Sequence, residues 1–342
     1  MFGFFRGKTT ARADEAPRPE APAQVDSEGF APFVVADHLE WHEGFPYMRW
    51  NEAWAWVDPM PDELLGAALE GCFNAWRLQL RDALGSHYNV TEGEDAVVIS
   101  SLEPRQAAAT VEFMEKTARR IVRVLDGLAQ PPAGRDHLIV LDEPEDYYRF
   151  VSRYYPEEGE FAFSGGMHIT DGIAGFYVTT KEDPRAIEPT IAHEMTHGFL
   201  RHLAIPLWLN EGLAVNTEHR ISHPGQPLHT PQEMRAKHLR FWGAAEIQQF
   251  WSGRSFQRAD EGNALSYDLA RVLVEQAASD WPRFAAFARA ADWKDGGAAA
   301  AREHYGVGLG EMACALLDRE PDPVFEPDPA AWDAPERDPA PR

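Results

Sequence analysis

His193 and His197 stand four residues apart and enclose an acid in the pentapeptide His193-Glu194-Met195-Thr196-His197. A second acid, Glu211, follows in Pro206-Leu207-Trp208-Leu209-Asn210-Glu211-Gly212-Leu213-Ala214. On a helix, residues four apart lie about 40° apart around the axis and one turn along it, so both imidazoles can reach one tetrahedral Zn²⁺. Glu194 falls beside the first imidazole, near enough to act on a water polarised by the metal without being a ligand. Glu211 adds an oxygen ligand, which gives a two-His, one-Glu set with its fourth position open to water. The chemistry implied is metal-assisted hydrolysis, with a peptide bond as the bond expected to break.

The surrounding pattern fits that use. Ile187, Ile191, Met195, Phe199 and Leu203 recur every four residues as an apolar stripe, and the two histidines lie roughly on the opposite face. One face is thus directed at a core and the other at a site. Trp208 to Ala214 reads as the start of a second helix whose polar residue is flanked by apolar ones. A third histidine ligand would need a Gly three residues and a His six residues after His197; Leu200 and Leu203 stand there instead. His202 would face away from a continuous helix, as a surface residue. His168, His219 and His223 remain available near the site, but no spacing favours them over Glu211.

Over His193–His197 and Pro206–Ala214 the chain resembles, residue by residue, the gluzincin metallopeptidases of the peptidase-MA superfamily. In that family a following helix carries the Glu ligand in a Trp-Leu-Asn-Glu-Gly-Leu/Phe-Ala context. The resemblance implies one Zn²⁺ per chain on His193, His197 and Glu211. Glu194 would be the general base that takes a proton from water and passes it to the leaving amine. It also implies a Tyr or His from a helical lobe as oxyanion donor. Tyr267, in Asn263-Ala264-Leu265-Ser266-Tyr267-Asp268-Leu269, looks like the corresponding Tyr, and equally fits a packed tyrosine on an amphipathic helix. Asn210 would support His197, as in thermolysin-like enzymes. Where those enzymes place an Asp four residues after the Glu, this chain has Val215, which leaves Glu218 or a backbone carbonyl for His193. Aminopeptidases of the superfamily carry Gly-x-Met-Glu-Asn on an edge strand, whose Glu anchors the substrate amine. Gly165-Gly166-Met167-His168 lacks that Glu, so an endopeptidase or processing peptidase acting on a peptide or protein substrate is expected. The alternative is a zinc-containing, non-catalytic binding or scaffold protein, suggested by the acidic tails and the missing amine anchor, and opposed by the intact Glu194.

The positioning elements follow from periodicity. Helices are expected over 61–84, 104–128 and 146–155, and strands near 88–99, 137–142 and 174–180, the last as an edge that could pair with an extended substrate. Beyond the site helix the pattern is helical throughout, over 208–219, 231–250, 264–278, 281–291 and 296–317. The aromatic-rich stretch from Pro32 to Val57 is expected to pack as an irregular segment or strand pair on the core. This order gives an α+β class. The order resembles the gluzincin arrangement, which implies a small sheet-bearing lobe over 29–206 ending in the His-Glu-x-x-His helix, a mostly helical lobe over 207–318, and a zinc site in the cleft between them. Residues 1–28 and the acidic, Pro-rich 319–342 read as disordered tails.

The net charge of −23 over 342 residues argues against nucleic-acid or anionic-membrane partners. Cys72 and Cys314 form no spacing motif and read as inert core thiols. The start Met1-Phe2-Gly3-Phe4-Phe5 is too short for a signal-peptide core, and no apolar run approaches a membrane span, so a cytoplasmic location is expected.

Overall fold

A computed structural model describes residues 18–132, 134–154, 166–182, 184–222 and 229–332. In chain order its elements are β1 (Gln24–Val25), β2 (Phe33–Val34), β3 (Leu39–His42), β4 (Phe45–Met48), α1 (Trp50–Val57), α2 (Asp62–Leu84), β5 (Asn89–Glu92), β6 (Ala96–Ser100), α3 (Pro104–Val124), β7 (Asp136–Leu141), α4 (Pro144–Val151), β8 (Gly166–Asp171), β9 (Ala174–Thr180), α5 (Pro184–Leu200), α6 (Leu207–Ile221), α7 (Pro231–Phe241), α8 (Ala244–Trp251), α9 (Gly262–Ala277), α10 (Trp281–Ala290), α11 (Ala298–Tyr305) and α12 (Leu309–Leu316). The architecture is mixed α/β: strands alternate with helices up to β9, and among the described residues only helical elements follow. No helix among the described residues is long and apolar enough to cross a membrane.

The main sheet has the order β5-β6-β7-β9-β8. Strands β6, β7 and β9 run parallel, while β5 and β8 pair antiparallel at the two edges. The expected edge strand, 174–180, is therefore interior, and β8 is the edge. Both faces of β9 are buried, Tyr177 on one and Phe176 and Val178 on the other, as an inner strand of a covered sheet requires. Alternate residues of the central strands feed two cores. Ile99, Ile139, Leu141 and Phe176 pack with Trp50, Phe73 and Trp76 of α1 and α2. Val98, Leu138, Val140 and Tyr177 pack with Ile187, Ile191, Met195 and Phe199 of α5, and that core continues into Leu209, Leu213, Leu269 and Phe287 of the later helices. The apolar stripe of α5 thus joins the sheet to the helices in one core.

The aromatic segment packs as a hairpin and a helix. β3 and β4 are joined by Glu43 and Gly44, both at positive φ, the two-residue turn whose twist matches a hairpin. Two predicted helices are each broken in two. Trp242 is extended and fully buried between α7 and α8, and Gly306, at φ +73°, ends α11. Cys72 and Cys314 are both buried and free, and burial pushes the Cys72 thiol up to about 12.

Both predicted tails need correction where they are described. Val25 of β1 packs over Gly71 of α2, where an added Cβ would lie 2.5 Å from Val25 Cγ1. Residues 319–332 form a strap with 3₁₀ turns at Pro323–Phe325 and Pro329–Ala331. Asp322 and Asp328 cap these turns, and Phe325 is buried. The Gln248 side chain donates to Val324 O and Glu326 O and accepts from Asp328 N and Trp332 Nε1. Trp251 Nε1 donates to Phe325 O. Pro and Asp here specify turns that lie on the helices. Residues 1–17 and 333–342 lie outside the described residues.

One core histidine carries a pH consequence. His137 stacks on Phe73, with ring centroids 4.8 Å apart. Burial, reinforced by the charge on Arg77, pushes its pKa from 6.5 down to about 3. The folded state excludes a proton that the unfolded chain accepts, so this contribution to stability is complete above pH 6.5 and is lost as pH falls toward 3. Between those limits the loss is up to about 1.4 kcal/mol per pH unit. Urea midpoints measured from pH 7 to pH 4 should fall less steeply for His137→Phe than for the parent chain; parallel curves would refute the assignment.

Candidate metal centre

α5 and α6 carry the three expected ligands. In α5, Ile191, Met195 and Phe199 are turned into the core, which leaves His193 and His197 on the other side with ring centroids 4.8 Å apart. α6 begins after Pro206, whose backbone is extended. Trp208 anchors its first turn, with its ring buried and Nε1 donating to Gly296 O at 3.0 Å. One turn further, Gly212 lets α9 come close: an added Cβ would lie 2.5 Å from Ala270 O. With both ends fixed, Glu211 Oε2 stands 3.2 Å from His193 Nε2 and 3.5 Å from His197 Nε2. The three candidate ligand atoms lie within 4.8 Å of one another, and the side chains are only 12–15 % exposed.

The outer ring nitrogens are also engaged. His197 Nδ1 is 3.0 Å from Asn210 Oδ1, and His193 Nδ1 is 3.2 Å from Glu218 Oε2. Nδ1 of His193 and of His197 thus face the Glu218 carboxylate and the Asn210 amide oxygen, and both Nε2 atoms face the Glu211 carboxylate. Two imidazole nitrogens and a carboxylate oxygen thus converge on one point, a group that could hold a cation. The pKa directions express the same field. Burial opposes charge on His193, yet its hydrogen bonds to Glu211 and Glu218 hold it well above its usual value. His197 is raised against burial by Glu211. Glu211, despite burial, is lowered by the two imidazoles. Two neutral imidazoles and a carboxylate, each oriented by a neighbour, fit a divalent zinc-type ion by donor chemistry.

Glu194 lies outside the ligand set. Its carboxylate accepts a 2.7 Å hydrogen bond from the backbone N–H of His168 on β8. Tyr267 of α9 approaches from the helical side, its ring centroid 6.4 Å from that of His193 and its edge on Phe256. The other histidines are dispersed. His168 is buried beside Tyr177, His202 and His219 are exposed, and His223 lies outside the described residues. Glu218 stands seven residues, two turns, beyond Glu211, so helical spacing already puts both on one face. The contact from β8 to Glu194 has no counterpart in any sequence spacing.

Purified protein loaded with Zn²⁺ should hold about one ion per chain, and His193→Ala or Glu211→Ala should lose it in competition with a chelating dye. Glu218→Ala and Asn210→Ala should keep the ion with about 10–100-fold weaker affinity. Stoichiometric zinc surviving in both ligand variants would overturn the site. In comparison with known proteins, no family model and no curated protein matches this chain.

Proposed function

We propose that the chain is a zinc-dependent metallopeptidase, an endopeptidase or processing peptidase in preference to an aminopeptidase. The observation that carries this reading is the carboxylate of Glu194, which stands next to the His193–His197–Glu211 group and takes no part in it. A metal site that serves folding alone has no use for such a base. The resemblance of His193–His197 and Pro206–Ala214 to gluzincins supports the same conclusion.

His193, His197 and Glu211 would hold Zn²⁺, which when bound supplies Lewis-acid polarisation of a carbonyl and acidifies water. Glu194 accepts a proton from the attacking water and later delivers it to the departing amine. The side of the edge strand β8 that has no strand partner among the described residues offers backbone donors and acceptors to an extended peptide, which would align the scissile bond along the strand. The Tyr267 hydroxyl donates to the oxygen that becomes negative as the carbonyl is attacked. Gly166-Met167-His168 offers no carboxylate to bind a free amino terminus, so the substrate continues on both sides of the cleaved bond.

Zinc-loaded protein should cleave members of a quenched-fluorescent peptide library. Glu194→Gln should abolish cleavage while retaining one zinc per chain, and activity surviving that change would rule out the assigned base. Tyr267→Phe should lower kcat by roughly 10²-fold with zinc and fold intact. A loss confined to thermal stability would make Tyr267 a packing residue instead. Cleavage of no library member, with zinc bound, would favour the non-catalytic alternative.

A further inference from the structure

The Glu194 carboxylate is held by the sheet. Its hydrogen bond comes from the His168 N–H of β8, the edge strand, so the position of that strand relative to α5 decides where the carboxylate sits. The His168 side chain lies at this junction. Its ring is buried, and its Nδ1 has no hydrogen-bond partner among the described residues. Two glycines make room for it. A Cβ added to Gly198 of α5 would lie 3.3 Å from His168 Nε2, and one added to Gly175 of β9 would lie 3.1 Å from Arg201 Nη1 and 3.4 Å from the same histidine atom. Gly198 directly follows His197. The Tyr177 ring, 5.3 Å from the His168 ring, backs the slot. Its hydroxyl donates to the buried Asp136 carboxylate at 2.9 Å and would lie 2.6 Å from a Cβ on Gly198. Two rings from adjacent strands thus occupy the space that a side chain at Gly198 would take.

We propose that His168 is the positioning residue for Glu194: its ring, wedged between Gly175 and Gly198 and backed by Tyr177, sets the separation of β8 from α5 and thereby places the carboxylate. The proposal rests on the hydrolytic reading above, and it concerns ring shape. Truncation should let the strand shift, and a displacement on the order of 1 Å at a reacting group costs about 10²-fold in rate.

The test has two arms. In the first, zinc-loaded variants are assayed on the quenched-fluorescent library. His168→Ala should lower kcat by about 10²-fold with KM and zinc content unchanged. His168→Phe, which keeps the ring, should stay within about threefold of the parent. Gly198→Ala, which intrudes on the slot, should behave like His168→Ala. In the second arm, amide hydrogen exchange at residue 168 is followed by NMR, which needs no turnover. The amide should be protected in the parent and in His168→Phe, and should exchange at least about tenfold faster in Glu194→Ala and in His168→Ala. Parent-like kcat in His168→Ala, or equal exchange at residue 168 in the parent and Glu194→Ala, overturns the proposal. A parent protein that cleaves nothing overturns the hydrolytic reading alone, and the exchange arm then decides whether His168 places the carboxylate.

Discussion

The structure brings two imidazoles and a carboxylate to one place at His193, His197 and Glu211, and the packing around them serves to keep them there. Little water reaches the group, since the side chains are 12–15 % exposed. The arrangement depends on how α5 and α6 are fixed relative to each other. Packing fixes both. α5 is embedded through Ile191, Met195 and Phe199 in a core that begins on the sheet and ends among the late helices. α6 is fixed by Trp208 at one end and by the close approach of α9 at Gly212. On the outer side the two rings are oriented by contacts of His197 Nδ1 with Asn210 and of His193 Nδ1 with Glu218.

The two sides of the site are built differently. On the helical side, positions follow from residues close in sequence: Asn210 and Glu211 are neighbours, and Glu218 is two turns away. On the sheet side, Glu194 meets a strand 26 residues earlier in the chain, and the contact depends on strand order, on two glycines and on a buried tyrosine. Local geometry secures the His193–His197–Glu211 group. Long-range packing secures the acid beside them.

This division explains how much could be read from the amino-acid order. The pairing of His193 with His197, the stripe of α5 and the helical character beyond Leu207 follow from spacing, which is a local property, and Glu211 from the motif around it. The order of strands is not local: 166–171 and 174–180 are both short β-type runs, and only pairing with β7 makes the second interior. The break at Trp242 eluded the pattern because the residue is apolar and helix-compatible; it leaves the helix to bury its ring against Phe250. The strap at 319–332 was hidden by its composition. Its Asp and Pro residues imitate a solvated tail, while Phe325 and Trp332 supply the anchors.

The strap has a consequence for the order in which the molecule can become competent. Trp332 packs at Gly296, where an added Cβ would lie 3.2 Å from its ring, and the Gly296 carbonyl holds Trp208. The brace on the helix bearing Glu211 is therefore contributed by residues that emerge from the ribosome long after the histidines. A nascent chain that already carries its sheet and both histidines still lacks this support for Glu211, so the geometry of the three-residue group waits on a segment made much later than any of its members.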